Sequence, residues 1–382
     1  MDYQLIATAT FGLEALVAKE LKVLGYDDLV TENGRVKFSG DEMDIAIANT
    51  HLRCADRVLI NFGEFSATTF EELYQGVLAL PWGELMPPDA FMHVNGKSVK
   101  SQLHSVPDCQ SITKKAIVEA MRRTYPGRDF QEDGPRYKIE VAILKDQVTM
   151  SVDTTGVGLH KRGYRKDSGA APLKETLAAA LVLLSGWKGE VPLFDPFCGS
   201  GTILIEAAMI ARNMAPGLYR TFACEAWPQF LEENPFEMVR SGARSAIDRE
   251  KKLSLTGYDI NSWVLNTAKA NAKKAEVFRD IFFKERDARN FVEEQTPATI
   301  ITNPPYGERL DEEETAQVLS YALGKIRKAY PAYDINVFTA LKDFEKYFGQ
   351  KSDKNRKLYN GRLLCYMYQY FRKAEAKANQ EK

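Results

Sequence analysis

The sequence predicts an α/β protein: a mostly parallel, doubly wound sheet in its second half, preceded by two small α+β units. Three observations carry that prediction. From residue 172 onward, short apolar runs alternate with helical patterns, the spacing of βαβ units whose sheet is covered on both faces. The first 160 residues instead pack strands, helices and hairpin turns at short intervals. A turn with two glycines at residues 195–202 leaves an apolar run and opens a helix, where an open parallel sheet holds its ligands.

The bulk properties agree. A chain of 382 residues suits two or three domains. With 45% hydrophobic and 27% charged residues and no low-complexity tract, the composition is globular. No run of ~18 apolar residues is present, so no membrane span is expected. Met1-Asp2-Tyr3-Gln4 lacks the basic and apolar regions of a signal peptide. Cys54, Cys109, Cys198, Cys224 and Cys365 form no Cys-x-x-Cys pair, and the chain has only 4 histidines. These features predict a cytoplasmic protein with free thiols and no metal site.

Taken in order, residues 3–8 read as a strand, and residues 12–24 as a helix with Leu13, Leu16, Val17 and Leu21 on one stripe. Residues 29–30 and 34–38 are short strands about an Asn33-Gly34 hairpin turn. Asp41 is placed to cap a helix over 42–51, and a strand follows near 57–62. This order begins a small α+β domain, assigned to residues 1–65. A second unit, residues 66–160, contains a helix over 70–78, a strand and turn at 91–96, an amphipathic helix over 111–121, and a hairpin of 137–144 with 148–153 across Lys145-Asp146. Residues 159–168 read as a basic linker. The third domain, 161–382, opens with a helix over 173–185, and its strands fall at 191–194, 253–258, 281–283 and 299–302. Residues 211–252 read as an aromatic-bearing helical insertion.

The net charge of −1 is unevenly spread. Residues 1–90 carry 6 Lys and Arg against 15 Asp and Glu, and residues 91–166 carry 14 against 8. A basic middle beside an acidic start is an electrostatic footprint for phosphates. Solvated helix faces would give the same count.

The chemistry lies in two motifs. In Asp195-Pro196-Phe197-Cys198-Gly199-Ser200-Gly201-Thr202, Gly199 and Gly201 permit tight turning and close approach to a ligand. Thr202 begins a helix whose free N–H groups favour a carboxylate, and Asp195 is placed to receive an ammonium group. A dinucleotide fingerprint would need a glycine where Leu204 stands, and the Gly-Lys-Ser/Thr of a P-loop is absent. Asp259, with Ile260, ends the next strand and suits ribose hydroxyls; Asp287, with Ala288, ends the one after and suits an adenine amino group. Either acid could equally be a helix N-cap. The second motif is Asn303-Pro304-Pro305-Tyr306-Gly307. The exocyclic amine of a purine is a poor nucleophile, and methylation builds positive charge on it. Asn303 supplies a side-chain carbonyl acceptor at that point, Pro304 and Pro305 fix the backbone and leave a main-chain carbonyl bare, and Tyr306 can stack on a base. The base must leave its helix to arrive there.

This ordered set resembles the class I S-adenosylmethionine-dependent methyltransferases of the amino type. His160-Lys161-Arg162-Gly163-Tyr164-Arg165 and Ala171-Pro172-Leu173-Lys174-Glu175-Thr176-Leu177 narrow the resemblance to bacterial 23S rRNA guanine-N2 methyltransferases. Residues 95–102 and 106–111 resemble the THUMP RNA-binding domain of that family. The resemblance spans nearly the whole chain. It implies a Rossmann-like domain with a mostly parallel seven-stranded sheet after ferredoxin-like and THUMP domains, S-adenosyl-L-methionine as cofactor with S-adenosyl-L-homocysteine as product, and RNA as partner. Asp195, Pro196, Phe197, Gly199, Ser200, Gly201, Thr202, Asp259, Ile260, Asp287, Ala288 and Asn303 would line the cofactor site, with Asn303 to Tyr306 catalytic. Lys97, Lys100, Lys114, Lys115, Arg162, Arg165, Lys354, Arg356 and Lys357 would meet RNA, the last three in a basic stretch (351–362) that is otherwise a solvated loop. Longer relatives carry a second, guanine-N7 domain, which is not expected here. Members are often labelled adenine-specific DNA methylases because of the Asn-Pro-Pro-Tyr motif. Four readings therefore stand: an rRNA guanine-N2 enzyme, a DNA adenine-N6 enzyme, a tRNA guanine-N2 enzyme, or a non-catalytic RNA-binding assembly factor.

Overall fold

The computed structural model describes residues 2–165, 173–306 and 310–372, apart from the side chains of 310–312. Ala171, Pro172 and Gly307 lie outside the described residues, as does the end of the basic linker. The chain divides into two compact units. One comprises Met1–Ala9, Val17–Leu159 and Arg220–Gly242; the other comprises Thr10–Leu16, His160–Tyr219 and Ala243–Lys382.

The first unit is built on β1 (Tyr3–Ala9), α1 (Glu14–Val23), β2 (Val30–Glu32), β3 (Arg35–Gly40), α2 (Glu42–His51), β4 (Ala55–Ser66), α3 (Phe70–Leu78), α4 (Trp82–Leu85), β5 (Phe91–Val99), α5 (Val106–Thr124), β6 (Arg136–Leu144) and β7 (Gln147–Asp153). Asp41 does cap α2, its carboxylate accepting from the N–H groups of Met43 and Asp44 at 2.8 and 3.1 Å. Lys145 and Asp146 take positive φ and close the β6–β7 hairpin. The strands form one sheet in the order β2-β3-β1-β4-β7-β6-β5, in which only β5 and β6 run parallel. The ferredoxin-like and second α+β segments thus share a continuous sheet through the β4–β7 ladder. Two expectations change here. The turn at Asn95-Gly96 is absent, because β5 continues to Val99. Gly96 lies under α5, where a Cβ would stand 3.0 Å from Gln110 and 3.1 Å from Val106. The helix expected over 111–121 starts five residues earlier.

The second unit contains α6 (Glu175–Ser185), β8 (Leu193–Asp195) and α7 (Thr202–Ala211). The insertion supplies α8 (Pro228–Glu233) and α9 (Pro235–Ser245). Its stretch 220–242 belongs to the first unit, where Trp227 stacks on Tyr137 with ring centroids 4.3 Å apart. There follow β9 (Leu255–Asp259), α10 (Ser262–Lys274), β10 (Ile281–Glu285), β11 (Ala298–Thr302), α11 (Leu310–Ala329), β12 (Tyr333–Thr339), α12 (Phe344–Phe348), β13 (Lys354–Asn360) and β14 (Leu363–Tyr370). The sheet order is β10-β9-β8-β11-β12-β14-β13. The first five strands are parallel, and β14 alone is reversed, pairing antiparallel with β12 and with the edge strand β13. Central strands β8 and β11 are buried at every residue, as a parallel sheet covered on both faces requires. The core under them gathers Phe194, Tyr258, Ile300, Leu323, Tyr333, Ile335 and Val337. The basic stretch is an edge strand, β13, paired to β14 along its whole length, and not the loop that charge alone would allow.

Candidate active site

Strand order explains the site. From β8 the chain winds outward through β9 and β10, then returns to place β11 on the other side of β8. The carboxyl ends of β8 and β11 therefore flank the switch point, where an open α/β sheet holds its ligand. Asp195 ends β8, Asp259 ends β9, Asp287 follows β10 by two residues, and Asn303 follows β11. Four positions spread over 109 residues of sequence thus meet at one edge.

The two motifs touch directly. Thr302, the last residue of β11, donates its hydroxyl to Asp195 Oδ1 at 2.6 Å, and the Phe197 N–H donates to the same oxygen at 3.1 Å. Asp195 is 1% exposed, and burial pushes its carboxyl up to about 7 against the lowering effect of those two donors. A buried acid with no cation beside it among the described residues is suited to a bound ammonium. Sequence reasoning passed over Thr302, whose only local signal is its position immediately before Asn303.

The glycine turn is held from three sides. Gly199 N–H donates to Asp259 Oδ2 at 3.1 Å, and Asn261 N–H donates to Oδ1 at 2.9 Å, so Asp259 keeps acceptor capacity on both oxygens. Asn261, not Asp259, caps α10. Cys198 N–H donates to the Tyr258 carbonyl at 2.8 Å, an approach that needs Gly257: a Cβ there would stand 2.9 Å from Cys198. Asn271 of α10 donates to the Ser200 carbonyl at 3.1 Å. Gly201 takes φ +80° ahead of α7, with Ala268 and the Phe283 ring 3.2 Å from the place of a Cβ, so no other residue fits without strain. Gly199, at φ +51°, has open space at that place, the side on which a ligand can approach. Pro196 and Thr202 are buried, and Phe197 and Ser200 are half-buried. Ile260 is 66% exposed at the same edge. Asp287 does act as an N-cap, for the short turn that contains Ala288, accepting from the Arg289 N–H at 2.8 Å. The Arg289 guanidinium also pairs with it and holds its carboxyl below the usual range.

Asn303 carries the observation on which the chemistry turns. Its Oδ1 is buried and, among the described residues, has no hydrogen-bond partner. A buried unmatched acceptor costs ~1–3 kcal/mol unless something fills it. Pro304 is buried, Pro305 exposed, and Tyr306 half-buried, its hydroxyl accepting from Asn360 Nδ2 at 3.2 Å. The edge therefore offers an acid for a cation, acceptors for hydroxyls, and an amide oxygen for an amine. This donor and acceptor set fits S-adenosyl-L-methionine: Asp195, Asp259 and Asp287 would hold its ammonium, ribose and adenine in strand order.

The expected RNA contacts divide. Lys97, Lys100, Lys115, Lys354 and Lys357 are exposed, while Lys114 and Arg356 are half-buried. Lys97 pairs with Glu140 and Lys114 with Glu132, each at 2.7 Å. Arg162 and Arg165 leave the set. Arg162 lies 3.5 Å from Glu206, and Arg165 lies 3.6 Å from Glu175, with side chains 2% and 6% exposed. Tyr164 donates to Glu206 at 3.0 Å, and Arg165 donates to Thr202 Oγ1. Charge counting read these arginines as surface cations; buried carboxylates on α6 and α7 draw them inside instead. Among the described residues no group of His, Cys, Asp and Glu is arranged to hold a metal, and no helix is long and apolar enough to cross a membrane.

Comparison with known proteins gives the family. Residues 162–369 match the family described as RMKL-like, methyltransferase domain; residues 4–59 match the RlmL ferredoxin-like domain, and 67–153 the THUMP domain. A Bacillus subtilis (strain 168) protein named "Putative RNA methyltransferase YpsC" is 42% identical over 373 residues, covering 97% of this chain and 96% of its own. A crystal structure from Listeria monocytogenes, described as "a predicted N6-adenine-specific DNA methylase", is 46% identical, with a TM-score of 0.93, over 97% of this chain and 96% of that one. SMU.472, described as "a putative methyltransferase complexed with SAH", is 42% identical, with a TM-score of 0.93, over 98% and 99%. With its fold, its strand-edge acids and these matches in agreement, the chain belongs to the RMKL-like methyltransferase family, with a ferredoxin-like and a THUMP domain ahead of the catalytic one.

Proposed function

We propose that this enzyme transfers a methyl group from S-adenosyl-L-methionine to the exocyclic N2 of a guanosine in large-subunit (23S) rRNA. The observation that carries the reading is the unmatched, buried Oδ1 of Asn303, held beside Asp195 through Thr302. The cofactor supplies an electrophilic sulfonium methyl when bound and leaves as S-adenosyl-L-homocysteine. Asp195 holds its ammonium, the Gly199 to Thr202 turn its carboxylate, Asp259 the ribose hydroxyls, and Asp287 the adenine amine, with Ile260 against the adenine face. Asn303 Oδ1 and the Pro304 carbonyl accept the two N2–H groups of guanine. They align its lone pair and offset the positive charge that develops on nitrogen. An amide is no base at neutral pH, so the proton leaves after transfer. Tyr306 stacks on the extruded base.

RNA is favoured over DNA by the THUMP domain and by the name of the Bacillus relative. Exposed Lys97, Lys100 and Lys115 are assigned to its phosphates. The test is transfer of a labelled methyl group to rRNA, tRNA and duplex DNA in parallel, with nucleoside analysis of the labelled species. N2-methylguanosine in 23S rRNA supports the reading. The same nucleoside in tRNA keeps the mechanism and changes the substrate, and N6-methyladenine in DNA overturns it.

A further inference from the structure

We propose that Phe11 and Tyr359 form a stacking platform for an unpaired nucleotide next to the target base. This rests on the RNA reading above and specifies where the strand runs. The residues are 348 apart in sequence, yet their ring centroids lie 6.0 Å apart at 75°. Phe11 is 51% exposed, so an aromatic ring on a short turn stands in solvent where a polar residue would be cheaper.

The turn is held to β13 at Gly12. Gly12 has φ +94°, and a Cβ on it would stand 2.9 Å from the Lys357 carbonyl oxygen. Arg356 donates to the Gly12 carbonyl at 3.4 Å, and the Gly12 N–H donates to Glu14 at 2.8 Å. The backbone is thus shaped to set Phe11 against this edge strand, although the ring itself stays outside the core. Such a fit is the cost of presenting a ring, and burial does not explain it.

Three features identify the occupant as single-stranded RNA. First, the platform continues the catalytic motif: Asn360, one residue beyond Tyr359, donates to the Tyr306 hydroxyl at 3.2 Å. Second, residues 351–362 hold five basic side chains against one acid, Asp353, and Lys357 sits 5.7 Å from the Tyr359 ring centre. Third, the one acid, Asp353, lies outside β13 and is engaged by the Phe371 N–H, which donates to it at 2.7 Å. Aromatic rings beside lysines on an exposed edge grip stacked bases and their phosphates without reading sequence. A base extruded toward Tyr306 leaves its neighbours unstacked, and the platform offers one of them a new partner.

The experiment measures steady-state methylation of the labelled RNA, cofactor binding and melting temperature for Phe11→Ala, Tyr359→Ala, Phe11→Trp and Gly12→Val in the full chain. Phe11→Ala and Tyr359→Ala should each raise KM for RNA about tenfold, with kcat within about twofold and cofactor affinity and melting unchanged. Phe11→Trp should restore KM. Gly12→Val keeps the ring but misplaces it and should raise KM like Phe11→Ala. Wild-type KM in both alanine variants overturns the platform while leaving the RNA reading intact. A wild-type enzyme that labels DNA and no RNA overturns both.

Discussion

Asn303 and Asp195 stand at neighbouring strand ends and fail differently when removed. Asn303→Ala deletes an acceptor matched to charge that appears only during transfer. It should lower kcat by about 10²–10³-fold and leave cofactor affinity within about twofold. Normal turnover in that variant would falsify the mechanism. Asp195 governs pH dependence instead. Its folded pKa of about 7 lies above the ~3.9 of an unfolded aspartate. Its contribution to the stability of the cofactor-free protein is therefore fully present below ~pH 4 and is lost as pH rises through 7. Cofactor affinity runs the other way, because an ammonium binds the ionised acid. Calorimetric titration with S-adenosyl-L-homocysteine should show Kd tightening by nearly tenfold per pH unit up to 7, with proton release below it. At higher pH affinity should fall again as the ligand's own amine deprotonates. Asp195→Asn should bind weakly, with no pH dependence below 7. A flat wild-type profile would remove Asp195 from the ammonium site.

At the level of elements, helix α7 joins the cofactor turn to a buried ionic cluster. Glu206 is 0% exposed on α7, facing Arg162 and Tyr164, and Thr202 at its first turn accepts from Arg165. Burial pushes the Glu175 carboxyl up, against the pull of Arg165. Removing one partner of such a pair leaves an uncompensated buried charge, typically costing ~3–5 kcal/mol. Arg162→Ala should therefore lower the thermal stability of the catalytic domain markedly, while the salt dependence of RNA affinity stays unchanged. A variant with normal melting but a shallower salt slope would return Arg162 to the RNA surface.

For the whole molecule, the acidic start and the basic segment 91–153 share one seven-stranded sheet. Lys97, Lys100, Lys114 and Lys115 lie on β5, on the turn beyond it and on α5. Replacing all four with alanine should weaken RNA binding and reduce the slope of log Kd against log salt by about 1–2, given ~0.7 per phosphate contact to single strands. The pairing of Lys97 with Glu140 and of Lys114 with Glu132 places the expected change below the four-contact maximum. Binding assays between 50 and 200 mM salt, roughly the range over which such contacts weaken, check this; an unchanged slope would move the RNA elsewhere.

The sequence by itself determined the elements and the order of the chemical groups. Helical stripes, the Asn33-Gly34 and Lys145-Asp146 hairpins, the Asp41 cap and the glycine turn depend on residues a few positions apart, and short-range sterics and hydrogen bonds settle them. The succession Asp195, Asp259, Asp287, Asn303 was legible because each follows its own strand. Only the tertiary structure decided what met across the sheet. It set β11 beside β8 and so joined Thr302 to Asp195; it drew Arg162 and Arg165 to buried carboxylates; it ran β5 straight through Asn95-Gly96; it made an edge strand of the basic stretch and brought Phe11 to Tyr359. Each of these depends on partners tens to hundreds of residues away. Local propensity cannot distinguish a solvated arginine from a buried one, because that outcome is set by which side chains the packed strands and helices bring opposite it.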